Sequence, residues 1–368
     1  MRIGIDARLV YYSRAGIGQY IVGLIEGLSK IDKENEYVLL QSRKDKAILA
    51  DQPNFSRKSL WTPSHHTFEQ LALPFEITPL RLDILHSPDF IPPFRRDYKS
   101  VITVHDLAFI LYPHFLTQQS ALYYGQIDRA VRHADHIMAD SLSTKRDIIS
   151  FLGVPESKIT VIHAAANSMY QPIKDEHSLK EIREKYSLDR PFMLFVSTIE
   201  PRKNLPTLLR AYRQLLDHYK LKVRLVVVGQ RGWFCGEVFA LTESLELNDD
   251  VLFLGHVPTK DLVLLYNAAR VLVHPSFYEG FGLPPLEAMS CGTPTIVSNV
   301  SSLPEVVGDA SLLISPEDVE GWTVAMWRML TDDSLHSELA EKGLKRAQLF
   351  SWEKAARETL KAYKRLLA

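Results

Sequence analysis

The chain has little of what marks secreted, membrane-spanning or nucleic-acid-binding proteins. It contains only two cysteines, Cys235 and Cys291, without a metal-like spacing, which favours a reducing, cytoplasmic compartment. Its net charge is −1, so no basic surface for nucleic acid is expected. No uncharged apolar run is long enough to span a bilayer. Residues 1–6 begin a strand at once, and we therefore expect no secretory signal.

The length and the residue pattern indicate two α/β domains. A chain of 368 residues is too long for one ordinary hydrophobic core, and 46% apolar with 24% charged residues is typical of globular proteins. Apolar runs alternate with helical patterns throughout, which predicts parallel sheets with helices on both faces. We expect two doubly wound, Rossmann-like sheets that face each other across a cleft.

The predicted elements fall into two series. The first-half strands are residues 2–9, 37–41, 83–87, 100–105, 136–141 and 159–163, with helices at 17–29, 118–133 and 143–151. A polar stretch at 171–177 predicts the linker. The second-half strands are residues 192–198, 224–229, 251–255, 271–276, 295–298 and 311–314, and residues 351–367 form one terminal helix.

The most informative stretch is FYEGFGLPPLE, residues 277–287, which follows a buried strand and leads into a helix. It places Glu279 and Glu287 eight positions apart, with Glu279 at the turn and Glu287 about one helical turn in, so both could face one crevice. Gly280 and Gly282 permit close approach of a ligand, and the N–H groups of the new helix favour phosphate or a hydroxyl-rich group. Pro284 or Pro285 suits the first helical turn.

A second site is STIEPRKNL, residues 197–205, which follows the first strand of the second domain. Arg202 and Lys203 are adjacent cations at a helix start, where the helix dipole disfavours them unless an anion lies between them. Asn204 is expected to cap the helix that begins at Leu205. The pattern indicates an anion site such as a nucleotide diphosphate, with a solvated basic turn as the alternative.

A glycine pair, Gly16 and Gly18, opens the first helix of the amino-terminal domain and permits close approach to a phosphate or sugar. As a dinucleotide fingerprint it fails, because Gly23 lies five residues after Gly18 rather than three and no acidic strand end follows about twenty residues on. A nicotinamide site is therefore not favoured.

Histidines end two strands of the first domain. A histidine at a strand end is often structural, and both His86 and His105 admit that interpretation. Asp106 is expected to orient a neighbouring loop. The basic residues in 95–99 could meet an anionic lipid or a lipid-linked diphosphate, although a solvated loop is the simpler interpretation.

The stretch at 277–287 resembles the Glu-x7-Glu signature of retaining GT-B glycosyltransferases that use nucleotide-sugar donors. The resemblance continues through residues 288–299 and 302–309, covers essentially the whole chain and is strongest between 191 and 310. It implies an acceptor-side domain at 1–172, a nucleotide-sugar-binding domain at 173–350 and a helix at 351–368 that packs back on the first domain. Residues 164–167, Ala-Ala-Ala-Asn, depart from the Asn-Gly-Val-Asp usual in the family.

The resemblance also implies roles. Lys203 occupies the position of the family's diphosphate-binding lysine, and Arg202 substitutes for an arginine that the family often has near Thr198. Glu279 would bind sugar hydroxyls and favour positive charge at the anomeric carbon, and Glu287 would bind the ribose. His105 would contact the transferred sugar. The other donor-binding residues implied are Gly16, Gly18, Gly229, Val257, Gly280, Phe281, Gly282 and Leu283.

Within the family, Gly16-Ile17-Gly18 and residues 200–204 resemble the branch that contains bacterial mannosyltransferases of surface-polysaccharide assembly. This implies GDP-mannose as donor, a glycan or lipid-linked acceptor, and work at the inner face of the cell membrane, with a possible peripheral membrane contact and no nucleic acid. No metal or cofactor is expected, since cations and helix ends can carry the charge. The alternatives are a UDP-sugar donor, a GT-B epimerase or hydrolase, and an inactive nucleotide-sugar-binding subunit.

Overall fold

The computed structural model describes residues 1–12, 16–66, 68–113 and 124–368. The chain divides into two compact units, Met1–Ala165 together with Phe350–Ala368, and Ala166–Leu349. Residues 13–15 of the predicted glycine loop and 118–123 of a predicted helix lie outside the described residues. No helix in the described part of the chain is both long and apolar enough to cross a bilayer.

The first unit is built on a parallel sheet of seven described strands in the order β3-β2-β1-β4-β5-β6-β7. The order reverses between β1 and β4, so the loops after these two strands diverge at the carboxyl edge. The strands are β1 (Arg2–Asp6), β2 (Glu36–Ser42), β3 (Phe55–Leu60), β4 (Ile84–Ser87), β5 (Lys99–Val104), β6 (His136–Ala139) and β7 (Ile159–Val161).

The second unit repeats this plan with six strands in the order β10-β9-β8-β11-β12-β13. Here the order reverses between β8 and β11, which pair in parallel, so the loops that follow them begin side by side. Such a reversal is where open α/β sheets bind ligands. The strands are β8 (Phe192–Val196), β9 (Arg224–Val228), β10 (Val251–Gly255), β11 (Val271–His274), β12 (Thr295–Ser298) and β13 (Ser311–Ile314).

Helices connect the strands in both units. Those described in the first unit are α1 (Leu9–Tyr12), α2 (Ile17–Ile31), α3 (Glu69–Ile77), α4 (Ala108–Leu111), α5 (Ile127–His133) and α6 (Leu142–Leu152). The second unit contains α7 (Glu176–Lys185), α8 (Leu205–Tyr219), α9 (Gly236–Ser244), α10 (Thr259–Ala268), α11 (Leu283–Ser290), α12 (Leu303–Val307), α13 (Val319–Thr331) and α14 (Asp333–Ala347). The chain ends in α15 (Trp352–Leu367).

The predicted parallel α/β architecture is confirmed, with three kinds of local error. Several strands end earlier than predicted, and the strand expected over 2–9 stops at Asp6 because α1 begins at Leu9. The stretch 171–177 is not all linker, since Asp175 caps α7 by accepting the His177 N–H. No sequence pattern predicts β3, an edge strand whose residues 56–59 are exposed and polar. It therefore lacks the apolar run by which buried strands are detected.

The terminal helix α15 packs tightly on α2. Ser351 caps α15 by accepting the Lys354 N–H at 3.2 Å, close to the predicted start. Glycines on α2 make room for it: a Cβ on Gly23 would lie 2.1 Å from the Trp352 ring, and one on Gly27 would lie 2.3 Å from the Trp352 carbonyl oxygen. The close approach of these helices therefore depends on two positions without side chains.

We expect Gly27→Ala to lower the free energy of unfolding by about 1–3 kcal/mol, because the added methyl group collides with backbone that cannot rotate away. Helix propensity alone favours alanine over glycine by about 1 kcal/mol, so it predicts the opposite sign. Urea denaturation measures the difference. Gly236→Ala is the matched control, since no described residue beyond the adjoining helix backbone has an atom within 4 Å of its added Cβ. An unfolding free energy of Gly27→Ala at or above that of the parent would contradict the packing argument.

Candidate active site

Glu279 is the centre of a buried cluster at the reversal point of the second sheet. Its Oε1 accepts hydrogen bonds from Lys203 Nζ at 2.8 Å, His274 Nε2 at 2.8 Å and Ser276 Oγ at 2.7 Å. Its Oε2 accepts from Lys203 Nζ at 2.9 Å and from Arg202 at 3.3 Å. The loop after β8 supplies both cations, and the segment from the end of β11 supplies the histidine, the serine and the glutamate. The two loops are thus joined by one carboxylate.

The cluster keeps Glu279 ionised. Burial by itself raises the pKa of this carboxyl, but the charge of Lys203, the hydrogen bond from His274 and the charge of Arg202 hold it well below its usual range. Burial lowers the pKa of His274, which is therefore neutral and donates its Nε2 proton to Glu279. A carboxylate with this many donors is strongly oriented as well as charged.

The cations have further partners that fix their positions. Arg202 donates to Glu200 Oε1 at 2.9 Å and to the Tyr278 carbonyl oxygen at 2.9 Å. The ammonium of Lys203 has three donors, two of which reach Glu279, and the third has no acceptor among the described residues. One N–H of Lys203 is therefore available to an anion.

Asn204 does not cap α8 in the way the sequence predicts. It stands at the start of the helix with a left-handed backbone (φ 56°), and its side chain accepts no capping hydrogen bond. Its amide instead donates to the carbonyl oxygens of Pro275 at 3.0 Å and Pro316 at 2.7 Å. Asparagine tolerates this backbone conformation better than most residues. The side chain is a second tie between the loops after β8 and β11.

Glu287 lies on α11 in a different environment. It is buried, and Tyr266 donates its hydroxyl to Oε2 at 2.9 Å. Burial raises the pKa of Glu287 to about 7, against the opposing effect of that hydrogen bond. The two glutamates share no hydrogen-bonding partner among the described residues. The predicted pair is therefore divided between a cationic cluster and a buried position beside Tyr266.

The turn into α11 is held by Ser302, whose hydroxyl is within hydrogen-bonding distance of the carbonyl oxygens of Glu279 at 2.9 Å and Phe281 at 2.7 Å. Gly282 has φ +109°, and a Cβ there would lie 2.8 Å from the Leu303 side chain. The Phe281 side chain is buried. These contacts fix the backbone between the two glutamates.

The expectation that several N–H groups of α11 face a ligand is wrong in detail. The helix begins at Leu283, and Pro284 lies within its first turn, as predicted. Pro285 follows it, so neither of these two positions has an N–H. Leu283 therefore supplies the only N–H among the first three residues of the helix. Any anion contact at this end relies on Leu283 and on the glycine-rich turn before it.

Gly229 and Val257, which are also predicted to bind the nucleotide sugar, pack within the loops at the carboxyl edge of the second sheet. Gly229 has φ +149°, and a Cβ there would lie 1.8 Å from the Ser197 carbonyl oxygen. Its N–H donates to the Gly255 carbonyl oxygen at 2.8 Å. Val257 is buried in the core with Val228. The loops after β8, β9 and β10 are thus packed backbone to backbone, and Gly280 is buried in the neighbouring loop.

The first-unit candidates are placed as follows. Gly16 precedes α2 with φ +44°, and Gly18 is buried inside that helix. His105 has partners for both ring nitrogens, Asp140 Oδ2 and the Pro88 carbonyl oxygen, each at 2.6 Å. Burial alone lowers the pKa of His105, but the charge of Asp140 and its hydrogen bond outweigh burial and raise the pKa to about 9. A sugar contact through His105 would replace the bond to Pro88.

His86 is a core histidine. It is fully buried between Tyr363, whose hydroxyl lies 2.6 Å from Nδ1, and Thr103, whose hydroxyl lies 2.8 Å from Nε2. Asp106 accepts the Ala108 N–H at 2.9 Å, a local contact at the start of α4 rather than a contact with a neighbouring loop.

The partners that organise Glu279 and Glu287 are not among the predicted site residues. His274 and Ser276 lie within three residues of the start of the glutamate motif, and Glu200 lies two residues before Arg202. A histidine, a serine and a carboxylate so close to the candidate charges were the available signal. Tyr266 is distant in sequence and gave none.

Comparison with known proteins defines the class. The family described as "Glycosyl transferases group 1" matches residues 179–346, and "Glycosyltransferase Family 4" matches residues 14–167. The O-antigen chain mannosyltransferase B of Escherichia coli is 33% identical, with all of both chains covered. The serotype-specific mannosyltransferase WbdA of the same species is 32% identical over 75% of this chain and 35% of its own length.

The fold agrees with solved structures. Sucrose-phosphate synthase from Thermosynechococcus elongatus superposes with a TM-score of 0.81 at 22% identity, covering 100% of this chain and 99% of the other. Two parallel Rossmann-like sheets of this kind are the GT-B architecture. The chain belongs to the group 1, family 4 glycosyltransferases, and it is therefore a sugar-transferring enzyme.

The pKa of Glu287 predicts a pH dependence of stability. Between pH 4.5, the ordinary value, and about 7, the unfolded chain releases this proton while the folded chain keeps it. Stability therefore falls as pH rises through this window, by about 3 kcal/mol in all. Glu287→Gln removes the effect, so the variant gains on the parent between pH 5 and pH 8 in urea denaturation.

The control for this experiment is Ser290→Ala, a non-titrating change on the same helix, which should shift stability equally at each pH. A constant difference between Glu287→Gln and the parent across pH 5–8 would mean that Glu287 keeps an ordinary pKa when folded.

Proposed function

We propose that this glycosyltransferase transfers mannose from GDP-mannose to a glycan or lipid-linked acceptor of a cell-surface polysaccharide, with retention of anomeric configuration. The full-length similarity to an E. coli O-antigen mannosyltransferase supports the sugar and the pathway class. The observation that carries the reaction is the Lys203–Glu279 contact at the reversal point of the second sheet, which combines an anion-binding cation and an oriented carboxylate.

In this proposal Lys203 binds the departing diphosphate. Its third N–H reaches a phosphate oxygen while the other two stay on Glu279, so the carboxylate orients the ammonium for the anion. Arg202 adds a second positive charge close by. Stabilising charge on the leaving group is the step that needs electrostatic help. The cations supply it, and the Leu283 N–H adds a dipole, so we propose that no metal is required.

Glu279 acts on the sugar. Its ionised carboxylate favours the positive charge that develops at the anomeric carbon as the diphosphate leaves, and sugar hydroxyls bind to it in exchange for some of its present donors. The surrounding donors prevent the carboxylate from rotating, which is the preorganisation that electrostatic catalysis needs.

Glu287 receives the ribose hydroxyls. A carboxylate has several acceptor sites, so Glu287 can accept ribose hydroxyls in addition to the Tyr266 bond. The donors on the ribose favour the ionised form of Glu287, so donor binding releases a proton in the pH range where this carboxyl is partly protonated. Gly229 and Val257 are proposed to border the base through their backbone.

The donor proposal is tested by thermal unfolding with a panel of nucleotides and nucleotide sugars, without added metal. GDP and GDP-mannose should raise the melting temperature with increasing concentration, because they bind only the folded chain. Glu287→Ala should abolish the shift, and Glu287→Gln should weaken it. A shift with UDP compounds alone would mean that the donor is a UDP-sugar, while the proposed type of reaction would stand. No shift with any nucleotide at millimolar concentration would overturn the donor site.

The role of Lys203 is tested by Lys203→Ala, which should lower kcat by roughly 10²–10³-fold, the usual cost of losing one donor to a developing anion. Transfer of radiolabelled mannose to an isolated membrane fraction measures it, with and without EDTA. Lys180→Ala is the control, since Lys180 is exposed on α7 and pairs with Glu184. Sugar released at full rate without acceptor would indicate a hydrolase, and activity lost in EDTA would refute metal independence.

A further inference from the structure

The first unit exposes an apolar face on helix α3. Phe68, which immediately precedes the helix, and Leu71 and Phe75 on it are 64%, 68% and 74% exposed. Their spacing of three and four residues places them on one side of the helix. Leu73 and Ile77 on the opposite side are buried in the core against β2 and β4. The helix is therefore apolar on both sides, and only one side is covered.

Both acidic side chains of α3 are engaged in contacts within the fold. Glu69 is buried and pairs with the buried Arg8. Glu76 accepts hydrogen bonds from the N–H groups of Trp61 at 2.7 Å and Thr62 at 2.9 Å. The hydrogen bond from the Trp61 N–H to Glu76 also holds Trp61, which is 72% exposed, next to the carboxyl-terminal half of the helix. We call Trp61, Phe68, Leu71 and Phe75 the apolar patch.

The patch is bordered by positive charge. The Arg43 guanidinium lies 3.9 Å from the centre of the Trp61 ring. Lys58 pairs in register with Leu40, whose side chain packs beneath α3, so Lys58 is on the same sheet face as the helix. Between 43 and 81, in the described ranges 43–66 and 68–81, the only exposed acidic residue is Asp51. The exposed basic residues are Arg43, Lys44, Lys46, Arg57, Lys58 and Arg81.

We propose that the apolar patch and its basic border dock the enzyme onto an anionic lipid bilayer. Aromatic and leucine side chains surrounded by lysine and arginine insert at the headgroup level while the cations meet lipid phosphates. Charge of one sign around the patch favours this occupant over a second copy of the chain, which would bring like charges together. The inference deepens the proposed function, since a lipid-linked acceptor lies at a membrane.

The other basic stretch, residues 95–99, is a weaker candidate for the lipid contact. Arg96 is engaged within the fold, donating to the Tyr98 carbonyl oxygen at 2.6 Å and to Asp135 at 2.5 Å. Lys99 lies 3.4 Å from the same carboxylate. These cations stabilise the connection between β5 and β6 and are already neutralised, whereas those bordering the apolar patch face outward.

The test is co-sedimentation of the full chain with vesicles of phosphatidylcholine alone or with phosphatidylglycerol. We expect binding to the anionic vesicles that weakens with salt. Leu71→Gln combined with Phe75→Gln should lower the partition constant at least about tenfold through lost apolar insertion. Lys44→Glu combined with Lys58→Glu should lower it at least about 25-fold on anionic vesicles, since each basic residue contributes about fivefold.

Matched controls are Phe151→Gln, an exposed aromatic on α6, and Lys361→Glu, an exposed lysine on α15, which should leave vesicle binding unchanged. GDP-mannose stabilisation of each variant separates the two proposals, because loss of vesicle binding with intact nucleotide binding concerns the patch alone. Undiminished vesicle binding in the patch variants would overturn the inference. The inference would also be overturned if the parent chain did not bind vesicles but formed a dimer in light scattering. In that case Leu71→Gln combined with Phe75→Gln would dissociate the dimer.

Discussion

The buried ion pair between Lys203 and Glu279 is the constraint on which the second unit's site depends. It spans two loops that are far apart in sequence and begin side by side because β8 and β11 are neighbours in the sheet. Removing either partner would leave a buried charge uncompensated, which is costly, so the pair holds both loops in one arrangement. Asn204 and the Phe277 N–H bond to the Arg202 carbonyl oxygen secure the same junction. Structure and charge are therefore set by the same atoms.

Much of this site could be predicted from the sequence because buried parallel strands have a recognisable apolar pattern. Buried strands such as β8 and β11 are continuous apolar runs, and the glutamates and cations stand directly after them, at the edge where α/β sheets bind ligands. The location of these residues after the strands in the sequence therefore predicted their location at the carboxyl edge of the sheet. The identity of the residues at Glu279, Glu287 and Lys203 then limited the chemistry to a ligand with both anionic and hydroxyl groups.

The remainder escaped because it depends on tertiary contacts. The strand β3 is polar, since an edge strand has no second neighbour to cover it. The side chain of Asn204 chose carbonyl groups from two distant loops over the local cap that its position suggests. The different states of Glu279 and Glu287 follow from their neighbours, two cations in one case and a tyrosine in the other. Neither the hydrogen-bonding partners of these carboxylates nor their burial can be derived from the spacing of residues in the sequence.

The packing of α15 on α2 has a consequence for biosynthesis. The first unit's core includes Trp352 and Tyr363 from the last helix, and Tyr363 completes the hydrogen bonding of His86 in the first sheet. A ribosome makes the chain from the other end and normally lets amino-terminal domains fold first. Here the groove between Gly23 and Gly27 stays unfilled until α15 has been made. The first unit to be synthesised is thus the last that can finish folding, and nascent chains expose its core throughout translation.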